Sequence, residues 1–144
     1  MDNYTYKHIL LIEDSEIDVL VYRRLMELMN FASHVTITST AEEAVDFLRH
    51  EVTNEQQAPD LILLDMHLPG MSGFDFLEYF NALPEYILNK TRVVVLSVFQ
   101  KQEEINKLSE NNYVLGQLEK PLTLESLRKM AAWKELTSGV SSGF

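Results

Sequence analysis

Five positions of this 144-residue chain carry groups able to act together: Glu13, Asp14, Asp65, Ser97 and Lys120. Each closes a short apolar run. Glu13 and Asp14 follow His8-Ile9-Leu10-Leu11-Ile12, and Asp65 ends the run from Asp60 through Leu64. Ser97 ends Val93-Val94-Val95-Leu96, and Lys120-Pro121 follows the stretch from Tyr113 to Leu118. Three carboxylates brought to one place resist assembly, because two of them ~5 Å apart at an effective dielectric of about 20 repel by roughly 3 kcal/mol. A hard divalent ion with oxygen ligands relieves the repulsion. Mg2+ takes one or two carboxylates, keeps water and reaches for phosphate oxygens. A carboxylate beside it can act as a nucleophile toward phosphorus and give an aspartyl phosphate. Ser97 would then hydrogen-bond one phosphoryl oxygen, and Lys120 would pair with another as a mobile point charge.

The elements that must position these groups follow from periodicity. Apolar runs at His8–Ile12, Val35–Thr38, Asp60–Asp65, Val93–Ser97 and Tyr113–Leu118 read as strands. The third and fourth lack polar alternation, as strands buried on both faces do, which implies a parallel sheet with helices on each side. Helical spacing joins Ile17, Leu20, Val21, Leu25, Leu28 and Met29 after the first strand. Ala44, Val45, Phe47 and Leu48 follow the second, and Phe76, Leu77, Phe80 and Leu83 the third, ending near Pro84. Gln100 to Asn112 is a polar helix with Ile105 and Leu108, and Leu124, Leu127, Met130 and Ala131 make a last one. Ser15 with Asp18, Thr40 with Glu43, and Ser72 with Asp75 mark helix starts. Glu51 to Pro59 reads as a loop, and Thr137 to Phe144 as a frayed tail. The expectation is five strands alternating with five helices, with ligands beyond the carboxyl ends of the strands at a topological switch point.

Composition narrows the function. Twelve Lys and Arg against 22 Asp and Glu leave a net charge of −10, which disfavours nucleic-acid backbones and anionic membranes. With no cysteine there is no disulfide framework, thiolate metal site or thiol nucleophile. The apolar runs fall far short of the ~20 residues of a membrane span, and Met1-Asp2-Asn3-Tyr4 opens no signal peptide. His8, His34 and His50 are scattered and read as structural, as do Trp133 and the cluster Phe74, Phe76, Tyr79 and Phe80.

With these residues in place the chain resembles the receiver domain of two-component response regulators, the CheY-like superfamily. The resemblance rests on Glu13-Asp14, on Leu63-Leu64-Asp65-Met66-His67-Leu68-Pro69-Gly70-Met71-Ser72-Gly73, on Ser97 and on Lys120-Pro121, and spans about His8 to Ala132. It implies a doubly wound, flavodoxin-like α/β fold with strand order 2-1-3-4-5, a receiver over residues 1–134 and a flexible tail over 135–144. It implies Asp65 as phosphoacceptor, Ser97 as switch hydroxyl and Lys120 as the phosphoryl-pairing lysine. Mg2+ would be held by Asp14 and Asp65, by Glu13 through water, and by the backbone carbonyl of His67. The implied partners are a sensor histidine kinase or a histidine phosphotransfer protein, and a downstream protein docking on the last helix, last strand and preceding helix. The implied setting is cytoplasmic, as a monomer or weak homodimer, without turnover of a separate substrate. The short stretch after Lys120 leaves room for one helix and a tail but not for an output domain.

Two positions depart from the family pattern. Gln117 stands where receivers carry an aromatic three residues before the lysine, and Val98 follows the switch hydroxyl where a small residue is common. Two other functions compete. Phosphatases of the haloacid-dehalogenase type also use a strand-end aspartate with Mg2+, but they carry a second aspartate where this chain has His67. A degenerate receiver serving as a phosphorylation-independent scaffold is consistent with Gln117.

Overall fold

The computed structural model describes residues 3–98 and 101–134. The expected tail over 135–144 lies outside the described residues. Five strands, β1 (Tyr6–Ile12), β2 (Ala32–Thr38), β3 (Leu61–Asp65), β4 (Arg92–Ser97) and β5 (Val114–Glu119), form one sheet in the order β2-β1-β3-β4-β5. Every adjacent pair is parallel. The order reverses at β1 and β3, so the ends of those two strands flank the switch point where ligands collect in such sheets. The carboxyl ends of β1 and β3 carry Glu13-Asp14 and Asp65.

The apolar runs form central strands because both of their faces are covered. Leu10, Ile12, Ile62, Leu64, Val93 and Val95 join one core cluster. Ile9, Leu11, Leu61, Leu63, Val94 and Leu96 join the other. This alternation is the period of two along each strand. All five residues of β3 are buried. A strand with no solvated face has its register set by packing on both sides, which makes its end a firm mount for Asp65.

Six α-helices surround the sheet: α1 (Glu16–Leu28), α2 (Ala41–Asp46), α3 (Gly73–Asn81), α4 (Glu85–Leu88), α5 (Gln102–Ser109) and α6 (Leu124–Lys134). The expectation of five helices is corrected by α4, a single turn opening at Pro84, whose fixed φ suits a helix start. Its one buried residue, Ile87, is too little for a periodic signal. The backbone amides of Asp18, Glu43 and Asp75 donate to the side chains of Ser15, Thr40 and Ser72, so the three expected caps are made. At α6, Thr123 and Ser126 each accept the other's backbone amide, satisfying two donors reciprocally. The second expected helix ends in a π-type turn over Phe47–Glu51, and the stretch expected as a loop carries a 3-10 turn over Glu55–Gln57.

Helix α1 departs from its expected packing. Tyr22 and Met26 are buried, with Val19, Leu25 and Met29 partly covered, whereas Ile17, Leu20, Val21 and Leu28 are exposed. The helix is apolar on two sides, and the sheet covers one of them.

The link from β3 to α3 sets the loop after Asp65. Gly70 has a φ of +82°, a left-handed conformation that glycine adopts at no steric cost. At Gly73, a Cβ would overlap Met66 Sδ and stand 3.1 Å from Met66 Cα. Met66 is adjacent to Asp65, so Gly73→Ala is expected to displace the loop that carries the site. The expected cost is about 1–3 kcal/mol, in the range of overpacked positions, read as a lowered urea midpoint at unchanged slope.

Candidate functional site

Glu13, Asp14, Asp65, Ser97 and Lys120 meet at the carboxyl edge of the sheet. The strand ends are tied together through the backbone: the Glu13 amide donates to the Thr38 carbonyl at 3.0 Å, Met66 to Leu96 at 3.0 Å, and Lys120 to Ser97 at 2.8 Å. The turn after β5 contains a cis peptide bond between Lys120 and Pro121.

The Lys120 ammonium lies between the acids. Its Nζ donates to Asp65 Oδ2 at 2.8 Å and stands 2.9 Å from Glu13 Oε1 and 3.7 Å from Asp18 Oδ2. Glu13 and Asp65 are almost wholly buried, at 1% and 2% exposure, so these contacts are screened little by water. The second oxygen of Glu13 accepts from the Asp14 amide at 3.0 Å and, more loosely, from the Ser15 amide at 3.4 Å. The second oxygen of Asp65 accepts the His67 amide at 2.9 Å. The His67 ring reaches Ser97, with Nε2 at 3.2 Å from Ser97 Oγ.

Burial pushes the Glu13 carboxyl up to about 7; the Asp65 charge adds to the shift and the Lys120 ammonium opposes it. Burial alone would lower the Lys120 ammonium, but its hydrogen bond to Asp65 and its ion pair with Glu13 outweigh that and raise it, so it remains a cation throughout the neutral range. Tyr22 is buried nearby; burial first, then the Asp18 charge, raises its hydroxyl.

One carboxylate oxygen each from Glu13, Asp14 and Asp65 lies within 4.8 Å of the others. The donor set is all oxygen and anionic, which suits a hard cation such as Mg2+. Glu13 Oε1 adds a second indication. It is buried, and its contact with Lys120 is an ion pair that lacks hydrogen-bond geometry. Asp14 is exposed and turns the cluster toward solvent, which leaves a route for a hydrated ion.

All five expected side chains are gathered at one edge. Asp18 was not among them, although it makes a third acidic contact with Lys120. Its spacing from Ser15 marked it as a cap partner, and nothing in the sequence showed the same carboxylate reaching the lysine. The ring contact of His67 with Ser97 was likewise invisible, because it joins residues 30 apart. Gln117 is buried at 8% exposure with its side-chain oxygen unpaired. Val98 is exposed at the rim.

The family described as "Response regulator receiver domain" matches residues 9–132. The nitrate/nitrite response regulator protein NarL of Escherichia coli is 31% identical over 144 residues, covering 96% of this chain and 61% of that protein. A response regulator receiver protein from Dyadobacter fermentans superposes with a TM-score of 0.75 at 26% identity, covering 89% of this chain and 98% of that one. The receiver domain of a sensor histidine kinase from Pseudomonas aeruginosa, crystallised with a magnesium ion coordinated in its active site cleft, shares the fold at a TM-score of 0.68 and 21% identity. It covers 88% of this chain and 96% of that one.

Two outcomes test the electrostatics. Lys120→Met leaves Glu13 and Asp65 buried without their shared counter-charge, and is expected to cost about 3 kcal/mol at pH 8, with added Mg2+ restoring part of the loss in a urea titration. The second concerns pH. Glu13 ionises near 4.5 when unfolded and near 7 when folded. The folded state therefore holds the extra proton between those values, and stability falls as pH rises through that window and levels above it. Glu13→Gln is expected to flatten this fall in melting temperature measured with chelator, against the wild type in the same buffers.

Proposed function

The chain belongs to the response regulator receiver domain family of two-component systems, and on that premise we propose that Asp65 accepts a phosphoryl group from a histidine-bound donor. The observation that carries this reading is the convergence on Asp65 of Lys120 at 2.8 Å and of the Glu13 and Asp14 carboxylates within 4.8 Å. In the transfer, a carboxylate oxygen of Asp65 forms the new O–P bond while the N–P bond of the donor phosphohistidine breaks. The electron pair of that bond returns to the imidazole nitrogen, which takes up a proton from solvent. The product is an acyl phosphate on Asp65.

Mg2+, held by Asp14, Asp65, the His67 carbonyl and, through water, Glu13, would neutralise charge on the phosphoryl oxygens. The remaining work falls to side chains of this protein. Lys120 already donates to Asp65 Oδ2, the oxygen contact it must exchange for a phosphoryl oxygen once that carboxylate is esterified. Ser97, buried and in contact with the His67 ring, is placed to turn its hydroxyl toward the adduct.

The phosphodonor's docking surface is supported by α1, which begins beside Asp14 and exposes Ile17, Leu20 and Val21. A sensor histidine kinase or histidine phosphotransfer protein would bury these side chains while presenting its phosphohistidine to Asp65. Output then passes to a downstream protein on the α5, β5 and α6 side. No described helix is long and apolar enough to cross a membrane.

Treatment with a small-molecule phosphodonor and Mg2+, read by intact mass, tests the reading. The expected result is a gain of one phosphoryl group per chain that disappears in Asp65→Asn and with chelator. Continuous turnover of the donor would instead favour a phosphatase. No labelling of a folded chain that binds Mg2+ would favour the phosphorylation-independent scaffold, with which Gln117 in place of the usual aromatic is consistent.

A further inference from the structure

A second set of donor groups, of different chemistry, lies toward the amino-terminal ends of β1 and β2. His8 and His34 are direct cross-strand partners in the parallel pair. Their ring centroids are 4.8 Å apart, with the planes inclined at 41°. Both rings aim Nε2 at one atom: Thr36 Oγ1 lies 2.7 Å from the His8 nitrogen and 3.4 Å from that of His34. Measured through that shared oxygen, the two nitrogens are at most about 6 Å apart.

The surroundings hold one partner firmly and leave the other adjustable. His8 is half-buried, its backbone amide donates to Asp60 Oδ2 at 2.9 Å, and the Phe47 ring stands edge-on at 6.3 Å. His34 is exposed on the edge strand β2.

We propose that His8 and His34 form a two-imidazole site for one divalent transition-metal ion of the Cu2+, Ni2+ and Zn2+ class, with water completing the coordination. Imidazole suits these metals, whereas the hard ion expected at Asp65 prefers oxygen. Two nitrogens at about 2.1 Å from one ion stand no more than about 4.2 Å apart. The site requires the exposed His34 side chain to rotate its nitrogen toward that of His8 to meet this limit, while the sheet fixes the separation of the two backbones. Burial, with the neighbouring His34 and Lys90 adding to it and Asp60 opposing, lowers the His8 imidazole, so the ring is neutral and ready to ligate at pH 7. The net charge of −10 draws cations toward the surface. A bound ion would clasp the edge strand β2 to β1 and stabilise the fold by mass action.

Calorimetric titration of the untagged chain with Ni2+, in excess Mg2+ to occupy the aspartate site, tests this. The expected result is one Ni2+ per chain, bound about tenfold or more weakly in His34→Gln and unchanged in His50→Gln. His8→Gln should weaken binding as well; because His8 is half-buried and its replacement can disturb the sheet, the exposed His34 carries the decision. Absence of saturable binding overturns the proposal. So does an affinity unaltered by His34→Gln, or a loss in His50→Gln equal to that in His34→Gln. Neither result bears on Asp65, which the titration does not require.

Discussion

The arrangement of this protein turns on one ammonium group placed between two buried carboxylates. Lys120 reaches Asp65 at 2.8 Å and Glu13 at 2.9 Å, with Asp18 farther out at 3.7 Å. Without that charge, the edge where β1 and β3 end would set anions side by side away from water, an expensive arrangement at the low effective dielectric of a protein interior. With it, the edge is held at tension. Burial still pushes the Glu13 carboxyl up to about 7, so the single cation does not fully compensate the cluster. An incompletely neutralised, all-oxygen site next to a strand-end aspartate suits both a divalent cation and a phosphoryl group.

The sheet supplies the rigidity that this balance requires. The two faces of β3 and β4 enter separate core clusters, so neither strand can slip by one residue without turning its side chains out of both. Backbone bonds from Met66 to Leu96 and from Lys120 to Ser97 carry the strand register into the loops that hold the functional groups. Glu13, Asp14, Asp65, Ser97 and Lys120 are thus mounted at the ends of strands held by packing, while α1 keeps Ile17, Leu20 and Val21 exposed.

Position 117 separates this chain from the usual receiver arrangement. An aromatic there would fill space and change orientation on activation. Gln117 instead buries an amide whose oxygen has no hydrogen-bond partner, a cost that a folded protein ordinarily avoids. Close to Asp65, the His67 ring nitrogen Nε2 stands 3.2 Å from Ser97 Oγ. The Ser97 hydroxyl thus has an imidazole beside it, and on β5 a polar amide occupies position 117 in place of a ring.

Much of this was legible in the order of residues. Apolar runs of five or six residues ending in Asp, Ser or Lys imply strands with polar groups at their ends, because the middle of a doubly covered strand must be apolar. The serine and threonine caps of α1, α2 and α3 were equally local, since each involves residues three apart. The one-turn helix α4 was not, because a single buried Ile87 leaves no periodicity to detect. The exposed stripe of α1 escaped for the opposite reason: Ile17, Leu20 and Val21 have helical spacing whichever side the sheet covers. The contacts that give the site and its surroundings their chemistry depended on tertiary structure alone. Lys120 meeting Asp18, the His67 ring meeting Ser97, and His8 meeting His34 across two strands each join residues far apart in the chain, and only the parallel register decides which distant side chains share a face.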